Sequence, residues 1–316
     1  MFTINKIVTT QWRAEGATNM MPARSVSRIE TAPPPAPGFI GAGHTAVEVV
    51  GRGELSDRDP FVFLMDDRLD IPERRVIGGP HPHAGIETVT FILEGSVYDR
   101  DEGQLGEGDV VWMTAGRGII HNEAVEAEGR SRILQLWIAL PARDRWLAPR
   151  FQVVRRDEAP VLGGPGVSGR LYSGAVGSAR SATRNRVPIT MLDLRLEPAA
   201  AFQHELTATY NGFFYVLEGT VRVGEDVLHA GQVGWLAPAA SANLVLAAGE
   251  RGARLMLYAG EPIREPLVHH GPFVAGSRIE IAELYRGFRN GEFTSMHEVA
   301  RLQHQHNEGR QSWVSQ

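Results

Sequence analysis

Two short clusters hold the residues best suited to chemistry. The first is a His-x-His pair, His81 and His83, in GGPHPHAGIETVTFILEG, and the second is a His-x-Glu pair, His121 and Glu123, in TAGRGIIHNEA. Side chains at i and i+2 of a β-strand point to the same face, so each pair offers two ligands to one side. If the two strands are neighbours, three imidazoles and one carboxylate converge, a donor set that suits Fe(II), Mn, Ni, Cu or Zn. The spacing predicts a metal site with coordination positions left open.

A polar turn is the other explanation for two histidines one residue apart, and it requires no metal. Four candidates at matched i, i+2 spacing on the two flanks of one predicted hairpin are much rarer by chance. The pattern therefore favours the metal site over the turn.

Four neighbouring residues are further candidates for the pocket. Strand alternation places Glu87 on one face and Thr88 and Thr90 on the other. If the threonine face lines the pocket, Glu87 points away from it. It then either contacts the metal ligands from outside the pocket or has a structural role. Arg117, in the turn before His121, could contact an anionic substrate or simply close a loop, and both remain open.

Composition narrows the class of protein. The chain has 316 residues, 43% of them hydrophobic, with 35 glycines and 19 prolines between many short β-like runs, which favours an all-β sandwich or barrel. The formal net charge of −5 and pI near 6.1 do not indicate direct nucleic-acid binding. The absence of cysteine excludes disulfides and thiolate chemistry. With neither a signal-peptide pattern nor a membrane-spanning apolar run, a cytoplasmic location is expected.

The strand pattern repeats. The run TFILEGSVYDRDEGQLGEGDVVWMTAG aligns with FYVLEGTVRVGEDVLHAGQVGWLAP, each with a Leu-Glu-Gly turn and a later Trp-bearing strand. Two copies of one β-module are the simplest architecture. When the copies are aligned on Gly95 and Gly219, Glu205 and Thr207 replace the first two histidines, and His204 is one residue out of register. The second module is expected to be free of metal.

These observations predict four segments. Residues 1–44 are expected to be irregular and Pro-rich, 45–152 to form the metal-binding module, 153–292 the metal-free module, and 293–316 a polar tail. The apolar spacing in 277–293 predicts one short amphipathic helix that closes the second module. The tail carries His297, His304 and His306. These histidines could form a weak metal-binding patch, but a solvated tail is favoured.

The same motifs resemble a known family. DPFVFLMDD, HPHAGIETVTFILEG, GDVVWMTAGRGIIHNE, LQLWIALP and GEPIREPLVHHGPFV resemble the pirins in content and order, from about residue 45 to 290. The resemblance implies two tandem cupin (jelly-roll) barrels packed together, with iron in the N-terminal barrel only. The family's ligand pattern falls on His81, His83, His121 and Glu123. Ala84 departs from the family, which usually has Arg there, so a charge near the metal is expected to be missing and substrate preference need not follow the family. The Pro-rich insert could reshape the pocket mouth.

Two functions follow from this resemblance. One is a mononuclear non-haem iron oxygenase of the quercetin 2,3-dioxygenase type, acting on an aromatic or enol-bearing small molecule. In that enzyme Glu123 would be both a ligand and, if it leaves the metal, the general base for a substrate hydroxyl. The alternative is a non-enzymatic, redox-sensitive iron protein that binds a protein partner. A third interpretation is a degenerate cupin with a structural or isomerase-like role and a metal other than iron.

Overall fold

The computed structural model describes residues 8–9, 23–122, 125–238 and 243–303. Strand regions rich in β-branched and aromatic residues alternate with glycine-containing turns along the chain, as the composition predicts. The helices are α1 (Ala142–Arg145), α2 (Arg278–Arg289) and a further helical segment at residues 296–303, with a 3₁₀ turn at Leu55–Asp57. The strands are β1 (Val8–Thr9), β2 (Val26–Thr31), β3 (Ala36–Pro37), β4 (His44–Val50), β5 (Phe61–Ile77), β6 (Pro80–His83), β7 (Ile86–Glu94), β8 (Ser96–Asp99), β9 (Gly103–Gly106), β10 (Val110–Thr114), β11 (Ile119–Asn122), β12 (Val125–Ala139), β13 (Arg150–Val154), β14 (Val161–Gly164), β15 (Val167–Ser173), β16 (Ala175–Val176), β17 (Ala179–Arg180), β18 (Ile189–Leu196), β19 (Ala201–Glu205), β20 (Asn211–Val223), β21 (Asp226–His229), β22 (Gln232–Leu236), β23 (Asn243–Gly260), β24 (Val268–His270), β25 (Phe273–Ala275) and β26 (Thr294–Ser295).

The chain forms two units. The first unit comprises Pro33–Arg156 and the residues from Ile263 onward, and the second comprises the residues up to Ala32 and Asp157–Pro262. Both are β-sheet units of the cupin type, and α2 is the predicted short C-terminal helix. The predicted all-β, two-cupin fold is confirmed.

The first unit is built around one large sheet in the order β13-β10-β7-β12-β5-β4-β3. Its central strands β7 and β12 pair along eight register positions and carry mostly apolar residues, so they are covered on both faces. The proline-rich stretch contributes only the two-residue strand β3, at the edge, where a missing N–H donor is tolerated. A separate small sheet, β26-β11-β6, carries both predicted ligand strands.

The second unit has a sheet in the order β1-β14-β15-β18-β23-β20-β22-β2 and a continuous apolar core. The repeat is visible in its turns and tryptophans. Gly95 and Gly219 both adopt positive φ, 76° and 72°, and a Cβ at either position would lie within 2.3 Å of a backbone carbonyl oxygen. Trp112 and Trp235 are both buried on the strand that pairs with the Leu-Glu-Gly strand. The two modules thus share their hairpin geometry.

Residues 1–44 are not irregular throughout, which corrects the first predicted segment. Val26–Thr31 forms β2 and pairs antiparallel with β22 at the end of the second unit's sheet. The run VSRIET has the β-branched residues of a strand, but its mostly exposed side chains give no apolar face. Four prolines that follow within residues 33–37 conceal this strand in the sequence pattern.

The boundary after the second module also differs from the predicted one, because α2 belongs to the first unit. Asp59 holds the returning chain: its two carboxylate oxygens accept the backbone N–H groups of Ile263 and Arg264, each at 2.8 Å. Buried Arg145 then pairs with Glu265 and Glu280. These contacts join residues far apart in sequence, so local patterns could not place the boundary.

The last described residues also depart from a wholly solvated tail. Residues 296–303 are helical, and Met296 and Val299 are buried in the first unit's core. Gln303 exchanges two hydrogen bonds with the backbone of Phe151, at 2.9 and 3.0 Å. His297 lies 3.2 Å from an Asp101 oxygen, whereas His304 and His306 lie outside the described residues. No helix in the described ranges is long and apolar enough to span a membrane.

Candidate metal centre

Strands β6 and β11 bring the predicted histidines together. They pair antiparallel with His81 directly opposite His121 and His83 opposite Ile119. The alternation of β6 places its histidines on one face, and Pro80 and Pro82 are tolerated because β6 lies at the edge of the small sheet. The ring centroids are 4.6 Å apart for His81 and His83, 5.5 Å for His81 and His121, and 5.9 Å for His83 and His121.

The three imidazoles fit a metal ion. Each offers a ring nitrogen, and the three nitrogens lie within 4.8 Å of one another. His83 is 2% exposed, and neither of its ring nitrogens makes a hydrogen bond of ordinary geometry with the described residues. Burial, reinforced by His81 and His121, holds its pKa well below the usual value, against the opposing effect of the Pro272 carbonyl. A buried, neutral imidazole with an unused lone pair is the protonation state that a metal ligand needs.

Hydrogen bonds orient the other two rings. His81 Nδ1 lies 3.0 Å from the Gly79 carbonyl oxygen and donates to it, so the lone pair of the neutral ring is on Nε2. His121 Nε2 lies 3.1 Å from Glu102 Oε1, and both side chains are almost fully buried. A carboxylate that accepts the ring N–H of a ligating histidine fixes its tautomer and raises its basicity.

Glu102 and Asp99 are site residues that the sequence reasoning missed. Both lie on the short β8–β9 hairpin and line the same cavity as the histidines. Asp99 Oδ1 accepts the backbone N–H groups of Asp101 and Glu102, at 2.7 and 3.1 Å. Burial, with the charge of Glu102, raises the pKa of Asp99 to about 6. The acidic run DRDEG was the available signal, but such runs usually indicate a solvated turn.

The predicted acidic ligand, Glu123, lies outside the described residues. Its assignment as the fourth ligand and general base remains a prediction from the His-x-Glu spacing and the resemblance.

The histidines line one end of a cavity of about 370 Å³. Its wall is mainly apolar, and the rings of Phe63 and Trp137 lie 4.2 Å apart between centroids, tilted by 34°. The exposed Phe39, from the proline-rich segment, reaches the same cavity and lies edge-on to His81 at 6.1 Å. The N-terminal segment therefore shapes the mouth of the pocket. The described lining residues are Pro37, Gly38, Phe39, Ile40, His44, Ala46, Phe63, Met65, Asp67, Leu69, His81, His83, Thr90, Val97, Asp99, Glu102, Leu105, His121, Ile133, Gln135 and Trp137.

Three of the four neighbouring candidates lie on β7, with Glu87 on one face and Thr88 and Thr90 on the other, as strand alternation requires. Thr90 lines the cavity and donates to Gln135 Oε1 at 2.7 Å, while Thr88 is buried on the same strand face without reaching it. Glu87 is fully buried on the other face and accepts a hydrogen bond from Thr114 Oγ1 at 2.7 Å. Arg117 is exposed and is not a lining residue, and its backbone N–H donates to the Leu147 carbonyl. The structure therefore favours loop closure over substrate contact for Arg117.

Ala84 lies away from the cavity. It is fully buried and packs in a cluster with Phe273 and with Ile281 and Leu284 of α2. The expectation that this position alters the charge near the metal is not supported, because the residue after His83 faces the opposite side of the strand.

The second unit uses the corresponding strand differently. On β19, His204 is buried and Glu205 is exposed, so the one histidine near this position faces the core. Burial lowers the pKa of His204 to about 4, so it is neutral at pH 7. Within the part of the chain that the structure describes, the one group of three residues with metal-ligand spacing is His81, His83 and His121.

Two cupin units, one with converging histidines at the end of an apolar cavity, define a bicupin with a candidate metal centre. The sequence matches the Pirin family model over residues 43–138 and the Pirin C-terminal cupin domain model over residues 191–294. The chain belongs to the pirin family, as its motifs predict.

Three proteins similar to this chain illustrate the names and structures found among its relatives. A Pseudomonas aeruginosa protein named putative quercetin 2,3-dioxygenase is 34% identical over 275 residues, which cover 82% of this chain and 95% of that protein. The crystal structure of a quercetin 2,3-dioxygenase from Acinetobacter baumannii matches with a TM-score of 0.77 at 25% identity, covering 87% of this chain and 100% of that chain. The bacterial pirin YhhW from Escherichia coli, in complex with nickel(II), shares the fold at 18% identity and a TM-score of 0.55, with 74% and 99% covered.

Proposed function

We propose that this protein is a mononuclear non-haem iron oxygenase of the quercetin 2,3-dioxygenase type, acting on an aromatic or enol-bearing small molecule. The observation that carries the proposal is the convergence of three imidazoles on one side of a mainly apolar cavity. The relatives named quercetin 2,3-dioxygenase support the same reaction class.

His81, His83 and His121 would hold the metal, with Glu123 as the predicted fourth ligand. When bound there, a transition ion would supply Lewis acidity toward a substrate hydroxyl and redox chemistry with O₂. Fe(II) is our choice for a site of imidazoles and a carboxylate with open positions. The same donors accept Mn, Ni, Cu or Zn, and the nickel(II) complex of the E. coli pirin makes nickel the first alternative to test.

The protein's own residues would position the substrate and exclude water. Phe63 and Trp137 provide adjoining aromatic surfaces for a planar ring, and Trp137 also contacts His83 edge-on, at 4.8 Å between ring centroids. A flat ligand on this wall would present its edge to the histidines. Phe39 would cover the outer end. Glu123, in its predicted second role, would take the proton from the substrate hydroxyl.

Oxygen consumption tests the proposal. Protein purified without added metal is first analysed for its metal content, then loaded with Fe(II) and mixed with quercetin in air-saturated buffer. We expect O₂ uptake that requires the metal and is lost in His83→Ala but kept in Arg117→Ala, whose side chain does not line the cavity.

The regulatory alternative predicts a different result. Under this alternative, iron-loaded protein consumes no O₂ with a panel of flavonols but retains a protein partner in only one redox state. That result would support the regulatory function in place of the oxygenase. The predicted cytoplasmic location is kept with either function and can be tested by cell fractionation.

A further inference from the structure

The cavity beside the histidines has an acidic end. Asp99 is 3% exposed and Glu102 has a side chain that is 6% exposed, and both line the cavity. None of the described lining residues is Lys or Arg, and the side chain that contacts Glu102 there is the imidazole of His121. A mainly apolar cavity with buried carboxylates beside the histidines is suited to ligands that donate hydrogen bonds there.

Asp99 has one carboxylate oxygen with hydrogen-bond donors and one without. Oδ1 accepts two backbone N–H groups, which fixes the carboxylate in place. Oδ2 is buried and has no hydrogen-bond partner among the described residues. A buried carboxylate oxygen without a donor is costly, and a ligand that supplies the donor removes that cost.

We propose that Asp99, with Glu102 beside it, forms a hydrogen-bond-accepting subsite that selects uncharged aromatic ligands carrying a hydroxyl group. This inference rests on the proposed function in that it concerns the same cavity. The ligand's hydroxyl donates to Asp99 Oδ2, while its rings occupy the apolar wall that includes Trp137. Ligands without a donor leave the carboxylate unpaired and bind more weakly.

The test compares two ligands of similar shape, naphthalene-2,3-diol and its dimethyl ether, by equilibrium dialysis under argon. In Asp99→Asn the amide oxygen can still accept the two backbone N–H groups, but an N–H₂ donor replaces the Oδ2 acceptor. We expect the affinity for the diol to fall about tenfold in this variant and the affinity for the ether to change less than twofold. Glu107→Gln is the matched control, because it loses the same charge on an exposed side chain outside the cavity.

Two results would overturn the proposal. One is a diol affinity in Asp99→Asn within twofold of the wild type. The other is loss of bound metal from a folded Asp99→Asn variant, which would place Asp99 in the metal centre instead.

A measurement on the wild type keeps the test valid if Asp99→Asn does not fold. Chelator-treated protein should still prefer the diol to the ether by about tenfold, and equal affinities would refute the subsite. This preference requires neither metal nor turnover, so it can hold where the oxygenase proposal fails, and it can fail where O₂ uptake is observed.

Discussion

His121 Nε2 lies 3.1 Å from Glu102 Oε1, and the two side chains are 4% and 6% exposed. The pair joins β11, which carries a predicted metal ligand, to the β8–β9 hairpin. In Glu102→Gln a weaker, uncharged acceptor replaces the carboxylate, so we expect about tenfold lower metal affinity. Metal titration monitored by calorimetry measures the change, with Glu107→Gln as the control. Equal affinities in Glu102→Gln and the wild type would show that this contact does not support the metal.

Bound metal should stabilise the fold, since an ion that binds only the folded chain shifts the unfolding equilibrium. At an ion concentration 100 times the dissociation constant, the free energy of unfolding rises by about 2.7 kcal/mol. Thermal denaturation with and without Fe(II) under argon should show the shift in the wild type and none in His83→Ala. An equal rise in both proteins would place the ion elsewhere.

Gly85 connects the ligand strand β6 to β7 with a φ of +75°, and a Cβ there would lie 1.8 Å from the Val274 carbonyl oxygen. Gly85→Ala should therefore cost more than about 3 kcal/mol of unfolding free energy and weaken metal binding through His83. Gly103→Ala separates the effect of the positive φ from that of the contact with Val274. Gly103 has a similar φ of +84°, but a Cβ there would lie in open space. We expect Gly103→Ala to cost only about 1–2 kcal/mol. Equal losses in urea denaturation would mean that the contact with Val274 relaxes.

His204 predicts a pH dependence in the second unit. Its folded pKa is about 4, against 6.5 for an ordinary histidine. Between these values the unfolded chain binds a proton that the folded chain does not, so stability is complete above about pH 6.5 and falls as the pH drops towards 4. The contribution is about 3 kcal/mol. Urea denaturation at pH 7 and 4.5 should show a smaller loss in His204→Leu than in the wild type, and equal losses would contradict the assignment.

Phe39 should affect ligand binding and leave the metal unchanged. It is 78% exposed, so its removal exposes no core, yet its ring lies edge-on to His44 and His81. Phe39→Ala should weaken naphthalene-2,3-diol binding about fivefold, since the ligand loses one apolar contact. Metal affinity by titration should stay within twofold. A variant with unchanged diol affinity would mean that the N-terminal segment does not close the pocket on a ligand.

The part of the site that the sequence predicts is the part that depends on period-2 alternation. His81 and His83 share a face because they are two residues apart, and the same alternation separates Glu87 from Thr90. Asp99 and Glu102 could not be found this way. They reach the cavity only because the β8–β9 hairpin folds beside β11, which is a tertiary relationship.

The fold, too, has parts that local sequence patterns predict and parts that depend on tertiary contacts. The two modules were predictable because each repeats a local hairpin, from the Leu-Glu-Gly turn to the tryptophan strand. The position of α2 was not predictable, because it depends on pairs such as Arg145 and Glu280, which lie 135 residues apart. A local pattern indicates that a helix forms at 278–289 but does not indicate which unit it joins.

The third strand beside the ligand strands comes from near the end of the chain: Thr294 and Ser295 of β26 run parallel to Ile119 and Ile120 of β11. A fragment cut at residue 152 would therefore lack this strand and the Met296 and Val299 side chains behind it. Such a fragment should not reconstitute the histidine cluster, however complete its own ligand set is. Protein engineers who graft, shorten or tag this barrel must treat its carboxyl-terminal segment as part of the candidate metal site.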